Sequence, residues 1–195
     1  MRIEKGSPGY VRDQQRVRTI RTILLFCVVA AVFAVGMILN KGDRRNIYSI
    51  VAAVGCIPAA MSAVSMVLMW MQKPIEASLP GELEKKAGHV KLLYELYVTT
   101  AEHNLYLQAA AAGVERIAAL AEKPRKEGDL QAVLTHLRNA LTDSCGYVEI
   151  EITTKKEVFL ELLSDMEQEY TEFGEEPDMQ EKTEQMAQTL LALSL

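Results

Sequence analysis

Residues 47–71 read IYSIVAAVGCIPAAMSAVSMVLMWM, 25 consecutive positions without a charge. About 20 helical residues suffice to cross the hydrocarbon core of a bilayer, so this run is long enough to span. Working outward, residues 22–39 (TILLFCVVAAVFAVGMIL) form a second uncharged run of 18. Between them lies NKGDRRN, residues 40–46, a connection that suits two antiparallel helices. Buried helices of a soluble all-α protein need a polar face for solvent, and neither run has one. The expected arrangement is a transmembrane hairpin: helix 22–39, short loop 40–46, helix 47–71. A secretory leader ending near Ala34-Val35-Gly36 is the competing reading. A leader's apolar core usually has about 7–15 residues; this run is longer, and a second follows directly.

The mean hydropathy of +0.04 averages an apolar third with a charged remainder. Residues 1–46 hold nine Lys/Arg and three Asp/Glu, a net of +6; residues 47–72 hold none; residues 73–195 hold twelve against twenty-three, a net of −11. Arg12, Arg16, Arg18 and Arg21 precede the first run, and basic flanks are retained on the cytoplasmic side during insertion. The loop is basic too (Lys41, Arg44, Arg45), so the bias is partial. Both termini are expected in the cytoplasm of a bacterial plasma membrane, with residues 1–21 as a basic segment. An acidic module of this size is a poor partner for nucleic acid, whose affinity comes largely from cations on phosphates. Proton relays and ion pathways need ionisable groups at membrane depth, and neither run carries one. Ser, Cys and backbone remain as possible linings of an oligomeric pore.

Small residues recur at four-residue intervals in both runs: Ala30 and Ala34 on the first, Gly55, Ala59 and Ala63 on the second. Such spacing lets helix backbones approach closely in lipid. These five residues are the candidates for helix packing, either within the hairpin or between copies of it. Pro58 removes a backbone donor midway along the second run and is expected to kink it.

Residues 72–88, with Pro74, Pro80-Gly81 and Gly88, read as a linker with a short helical turn at Glu82–Ala87. Residues 89–170 read as an acidic α+β domain. Val148, Ile150 and Ile152 alternate with Glu149, Glu151 and Thr153, the period of a half-buried strand. Thr154 with Glu157 forms a capping-box pattern, opening a helix expected to bury Val158, Phe159, Leu162, Leu163 and Met166. Leu130, Val133, Leu134, Leu137 and Leu141 give a helix before the strand. Val90, Leu92, Tyr94, Leu96 and Val98 alternate and supply another strand. Residues 102–121 are open to two readings. The alanines and Thr99-x-x-Glu102 fit a helix, whereas Gly113 fits a hairpin of Leu105–Ala111 with Val114–Ala121. The hairpin is preferred because a sheet needs neighbours. The expected domain is a small antiparallel sheet covered by two helices.

LLYELYVTTAEHNLYLQ (residues 92–108) and YVEIEITTKKEVFLELL (147–163) resemble an uncharacterised family of small two-span membrane proteins of Gram-positive bacteria. The resemblance covers residues 1–165. It implies a strand-rich start to the soluble domain and a cytoplasmic location, and it brings no activity and no catalytic motif.

The tail, 171–195, is acidic, then Pro177 opens a helix with Met179, Met186, Leu190 and Leu193 at roughly helical intervals. This stripe is a candidate for binding a partner helix; the plainer alternative is docking on its own domain. Three cysteines (Cys27, Cys56, Cys145) show neither paired nor metal-binding spacing, and no histidine falls in a zinc motif. Glu102-His103, Cys145 with His136 or His103, and Glu149/Glu151 with Lys155-Lys156 are the only constellations that could carry chemistry, and each is better read as ordinary surface or packing. No catalytic residue, metal, cofactor or small-molecule substrate is indicated. The expected function is that of an integral membrane protein anchoring an acidic protein-interaction module to the bilayer, with an unknown protein or itself as partner. The alternative is a self-assembling membrane hairpin regulated by its soluble domain.

Overall fold

The computed structural model describes residues 3–39, 47–100, 102–124, 126, 128–173 and 177–194. The connection expected at 40–46 lies outside the described residues. The chain divides into two compact units: Ile3–Tyr10 joins Ile75–Leu195 in one, and Val11–Pro74 forms the other.

The Val11–Pro74 unit is built on two long helices, α1 (Tyr10–Leu39) and α2 (Ile47–Trp70). α1 runs through the basic segment into the apolar run without interruption, and α2 continues through Pro58. Both are long and apolar enough to cross a membrane by length and composition, and only 11% of the most apolar 18-residue stretch of each is buried. Ile20, Leu24, Ile38, Ile50, Val54, Ile57, Met61 and Val64 all point outward.

The other unit is a mixed four-stranded sheet in the order β1 (Lys91–Thr99), β2 (Asn104–Ala112), β3 (Arg116–Ala121), β4 (Glu149–Thr153). Helix α3 (Leu79–Ala87) precedes the sheet, α4 (Asp129–Cys145) connects β3 to β4, and α5 (Lys156–Phe173) and α6 (Pro177–Leu193) follow. β1/β2 and β2/β3 pair antiparallel, but β3/β4 pair parallel. The expected all-antiparallel sheet is therefore corrected. α4 carries the chain back to the end where β3 began, and a strand entered through such a crossover runs parallel to its predecessor.

The two-helix cover is corrected as well, because the sheet is buried on both faces. Val133, Leu137 and Leu141 of α4 and Met186, Ala187 and Leu190 of α6 pack on one face; Leu79, Leu83 and Ala87 of α3 and Phe159, Leu162, Leu163 and Met166 of α5 pack on the other. A central strand covered on both sides loses its polar positions. This accounts for β2, where Ala109 to Ala112 are all fully buried. The stretch expected to be a linker belongs to this unit from Ile75 onward. Its Leu79, Leu83 and Ala87 fall one helical turn apart and fill the second core. Val158, expected inside, is 38% exposed, and α5 starts at Lys156 rather than directly after Thr154.

β1 departs from simple alternation. Tyr94 packs on the α3/α5 face, whereas Leu96 and Val98 pack on the α4/α6 face. The phase slips at Glu95, which has φ +55°. β2 slips at Gln108, where its pairing with β3 shifts register. Leu96 still pairs with Leu107 as Tyr94 pairs with Ala109, so both strands change phase together. A one-residue slip moves every following side chain to the opposite face. The buried Glu95 carboxylate accepts the Ile75 N–H at 3.0 Å, fixing the start of the domain after Pro74.

The outer edge of β1 is closed by both ends of the chain. Tyr94 N–H donates to Gly6 O at 2.8 Å, and Ser194 bridges Val98. Lys5 Nζ donates to Leu191 O and Ser194 O at 2.8 and 2.5 Å. Leu191 O lies in the last turn of α6 and Ser194 O just beyond it, where a cation is favourable. The segment ahead of α1 and the chain after α2 are thus parts of one folded body.

Candidate functional site

The seam of the hairpin alternates three- and four-residue steps. On α1 it comprises Gln15, Arg18, Thr22, Leu25, Val29, Val32 and Gly36; on α2, Ala52, Gly55, Ala59, Ser62, Met66 and Met69. This is the heptad spacing of two helices packed at a shallow angle. Gly55 is closely packed there: a Cβ would meet Val29 Cγ2 at 3.2 Å, so that a larger residue needs Val29 to give way. Ala59 is fully buried. Ala63 is half-buried beside the seam, while Ala30 and Ala34 are exposed on the outside of α1. The sequence candidates thus divide between two surfaces. Cys27 and Cys56 also face outward.

At the basic end, polar side chains stitch the helices together. Thr22 and Ser62 share a hydroxyl–hydroxyl bond of 2.8 Å. Arg18 Nη1 donates to Ser65 Oγ at 2.9 Å and Ser65 O at 3.3 Å. Gln15 Nε2 donates to Met69 O and Gln72 O at 3.2 and 3.0 Å, covering carbonyls at the end of α2. Trp70 Nε1 donates to Thr19 Oγ1 at 3.0 Å, with the ring 63% exposed. Grooves of roughly 500 Å³ and 490 Å³ open beside these contacts. Gln14, Val17, Arg18, Arg21, Pro58, Met61, Ser62 and Ser65 line the first, Arg12, Arg16 and Trp70 part of the second.

In the sheet unit, the titratable clusters serve packing. His103 Nδ1 lies 2.8 Å from Asp129 Oδ1, and Lys126 N–H donates to Asp129 Oδ2 at 2.9 Å. The His103 bond first, then the Lys126 N–H, hold the Asp129 carboxyl below the usual carboxylate range. The pair ties the β1–β2 turn to the first turn of α4. Arg116 is held by Glu151 at 2.6 Å, Glu169 at 3.4 Å and Glu149 at 3.7 Å. Its guanidinium is pushed above its ordinary pKa, chiefly by the Glu151 hydrogen bond. Glu149 and Glu151 are therefore engaged in pinning the edge strand β4 and α5 to β3, and Lys156 pairs with Glu82. Burial, reinforced by Glu84 near Tyr94 and by Glu95 and Glu122 near Tyr106, pushes both phenols well above their ordinary pKa. Cys145 Sγ lies 4.0 Å from Thr189 Oγ1 of α6.

Met186 and Leu190 of the tail are buried against the sheet, with Leu193 packed at its margin and Met179 half-buried. The stripe is occupied by its own domain. Thr183 Oγ1 donates to Gly113 O at 3.1 Å and fixes α6 over the β2–β3 turn. The signal for this docking lay in the strand sequences, whose second apolar face required a second layer of helices.

No protein-family model, curated protein or solved structure matches the chain.

Proposed function

We propose that the chain is an integral membrane protein whose α1–α2 hairpin inserts in the bilayer and whose acidic domain binds a protein partner on the cytoplasmic side. One observation carries the reading. Residues 3–10 and 75–195 build one body, while the two helices between them leave their apolar side chains outward. A hairpin in lipid returns the chain to its side of entry, which such a shared body requires. The arginines ahead of Thr22 support the cytoplasmic side.

The partner surface is the free edge of β4. β1 is covered by chain ends, whereas β4 ends the sheet with no described segment paired beyond it. Tyr147, 77% exposed, stands at its entrance beside a groove of roughly 350 Å³ lined by Arg138, Thr142 and Val148. An extended segment can add to such an edge through main-chain hydrogen bonds, and the net charge of −11 over residues 73–195 favours a basic one. Cross-linking of the full chain in its own membranes, read by mass spectrometry, tests this. A stoichiometric second protein that cross-links to 147–153 and is lost in Tyr147→Glu supports the reading; recovery of the chain alone, as a ladder, supports self-assembly instead. That second reading rests on the outward Ala30 and Ala34, which predicts that Ala30→Leu and Ala34→Leu shorten the ladder.

A further inference from the structure

We propose that the groove between Arg18, Arg21, Ser62 and Ser65 is a binding site for the phosphate headgroup of an anionic phospholipid. The proposal rests on the membrane reading of the hairpin.

Arg18 and Arg21 are the last two charges before the apolar run, within about one helical turn of Thr22. Among the described residues neither pairs with a carboxylate; Arg18 donates to the Ser65 hydroxyl and carbonyl. Those bonds hold the Arg18 guanidinium across the seam with donors to spare, since a guanidinium carries five N–H groups. Arg21, one turn on, lines the same groove with Gln14, Ser62 and Ser65. Ser62 is itself oriented by Thr22 at 2.8 Å. Two guanidinium forks and two hydroxyls match the oxygens of a phosphate.

The rest of the lining selects a lipid over a free ion. Val17, Pro58 and Met61 form its apolar wall, and Met61 is 70% exposed on the outward face that continues along α2. A headgroup phosphate can sit among the arginines while its acyl chains follow that face. Two cations at the edge of the hydrocarbon region thereby gain a counter-charge that no described carboxylate provides there.

The test uses the full chain. Flotation with neutral phosphatidylcholine vesicles first reports insertion alone; failure to float overturns the membrane reading and the proposal with it. Native mass spectrometry of the inserted protein, released from vesicles of phosphatidylcholine with phosphatidylglycerol, then counts retained lipids. The expected result is one phosphatidylglycerol per chain, retained about tenfold over phosphatidylcholine, the size of one charge-assisted hydrogen-bonded contact. Arg21→Gln should abolish that preference while floating normally, Arg21→Lys should retain part of it, and Arg12→Gln, which removes the same charge outside this groove, should leave it intact. Equal retention of the two lipids, equal losses in Arg12→Gln and Arg21→Gln, or displacement by inorganic phosphate at matched concentration would each overturn the proposal.

Discussion

Gly6 sits at φ +87°, where a Cβ would lie 2.8 Å from Leu191 Cδ2 and 3.2 Å from Leu93 Cδ2. Gly9 has nearly the same backbone, φ +83°, but its Cβ would meet only Ile3 Cδ1 at 3.9 Å. Alanine at either position bears the left-handed backbone cost, about 1–2 kcal/mol. Only at Gly6 does crowding add to it; the Leu191 and Leu93 methyl ends must shift, which places the added cost at the low end of overfilling a packed site, about 1 kcal/mol. The cost falls on docking of the N-terminal segment, which covers the Tyr94 N–H with the Gly6 carbonyl. Hydrogen exchange of residues 91–99 in the detergent-solubilised full chain reads that docking directly. One to two kcal/mol corresponds to a factor of about 5–30. Gly9→Ala should thus lower protection of the Tyr94 amide about fivefold, and Gly6→Ala about thirtyfold or more. Equal effects would remove the packing argument. No effect in either variant would mean that the segment is not docked, and the case for residues 3–10 and 75–195 as one body would fall.

Three further outcomes follow from the same geometry. Phe159→Ala, at a fully buried position, should cost about 3–5 kcal/mol by urea denaturation, whereas Val158→Ala beside it should stay within about 0.5 kcal/mol. Gly55→Leu should separate α1 from α2, lowering the yield of a disulfide between cysteines placed at Val29 and Ala52, while Ala30→Leu should leave that yield unchanged. Asp129 is held below its ordinary pKa by His103 and Lys126. A depressed carboxylate contributes stability at pH above its unfolded value, near 4, that is lost as pH falls through the lower folded value. Urea midpoints between about pH 5 and 2 should therefore decline more steeply in the wild type than in Asp129→Asn.

The two apolar runs were legible because length and absence of charge suffice to mark them. So were α4, β4 and α5, whose apolar spacing is regular, and the β2–β3 hairpin, once a sheet was required. Three features were not. The direction of β4 depends on where α4 delivers the chain, which spacing along β4 does not encode. The phase change at Glu95 and Gln108 leaves the alternation of 90, 92, 94, 96 and 98 intact on paper while reversing its second half in space. Docking of residues 3–10 depends on backbone atoms of Gly6 and one lysine, neither of which leaves an apolar signature. The packing seam was half-read: a strict four-residue period finds Gly55 and Ala59, but drifts off a 3.5-residue seam to Ala63. On α1 it selects Ala30 and Ala34, which face outward.

The central claim is that the hairpin crosses the membrane and returns. On a background with Cys27, Cys56 and Cys145 replaced by serine, single cysteines at Ser7, Lys41 and native position 145 can be labelled with an impermeant maleimide in intact bacterial cells. The account predicts labelling at position 41 alone, with positions 7 and 145 reacting together only after permeabilisation. Positions 7 and 145 on opposite sides, or position 41 protected together with both, would contradict it.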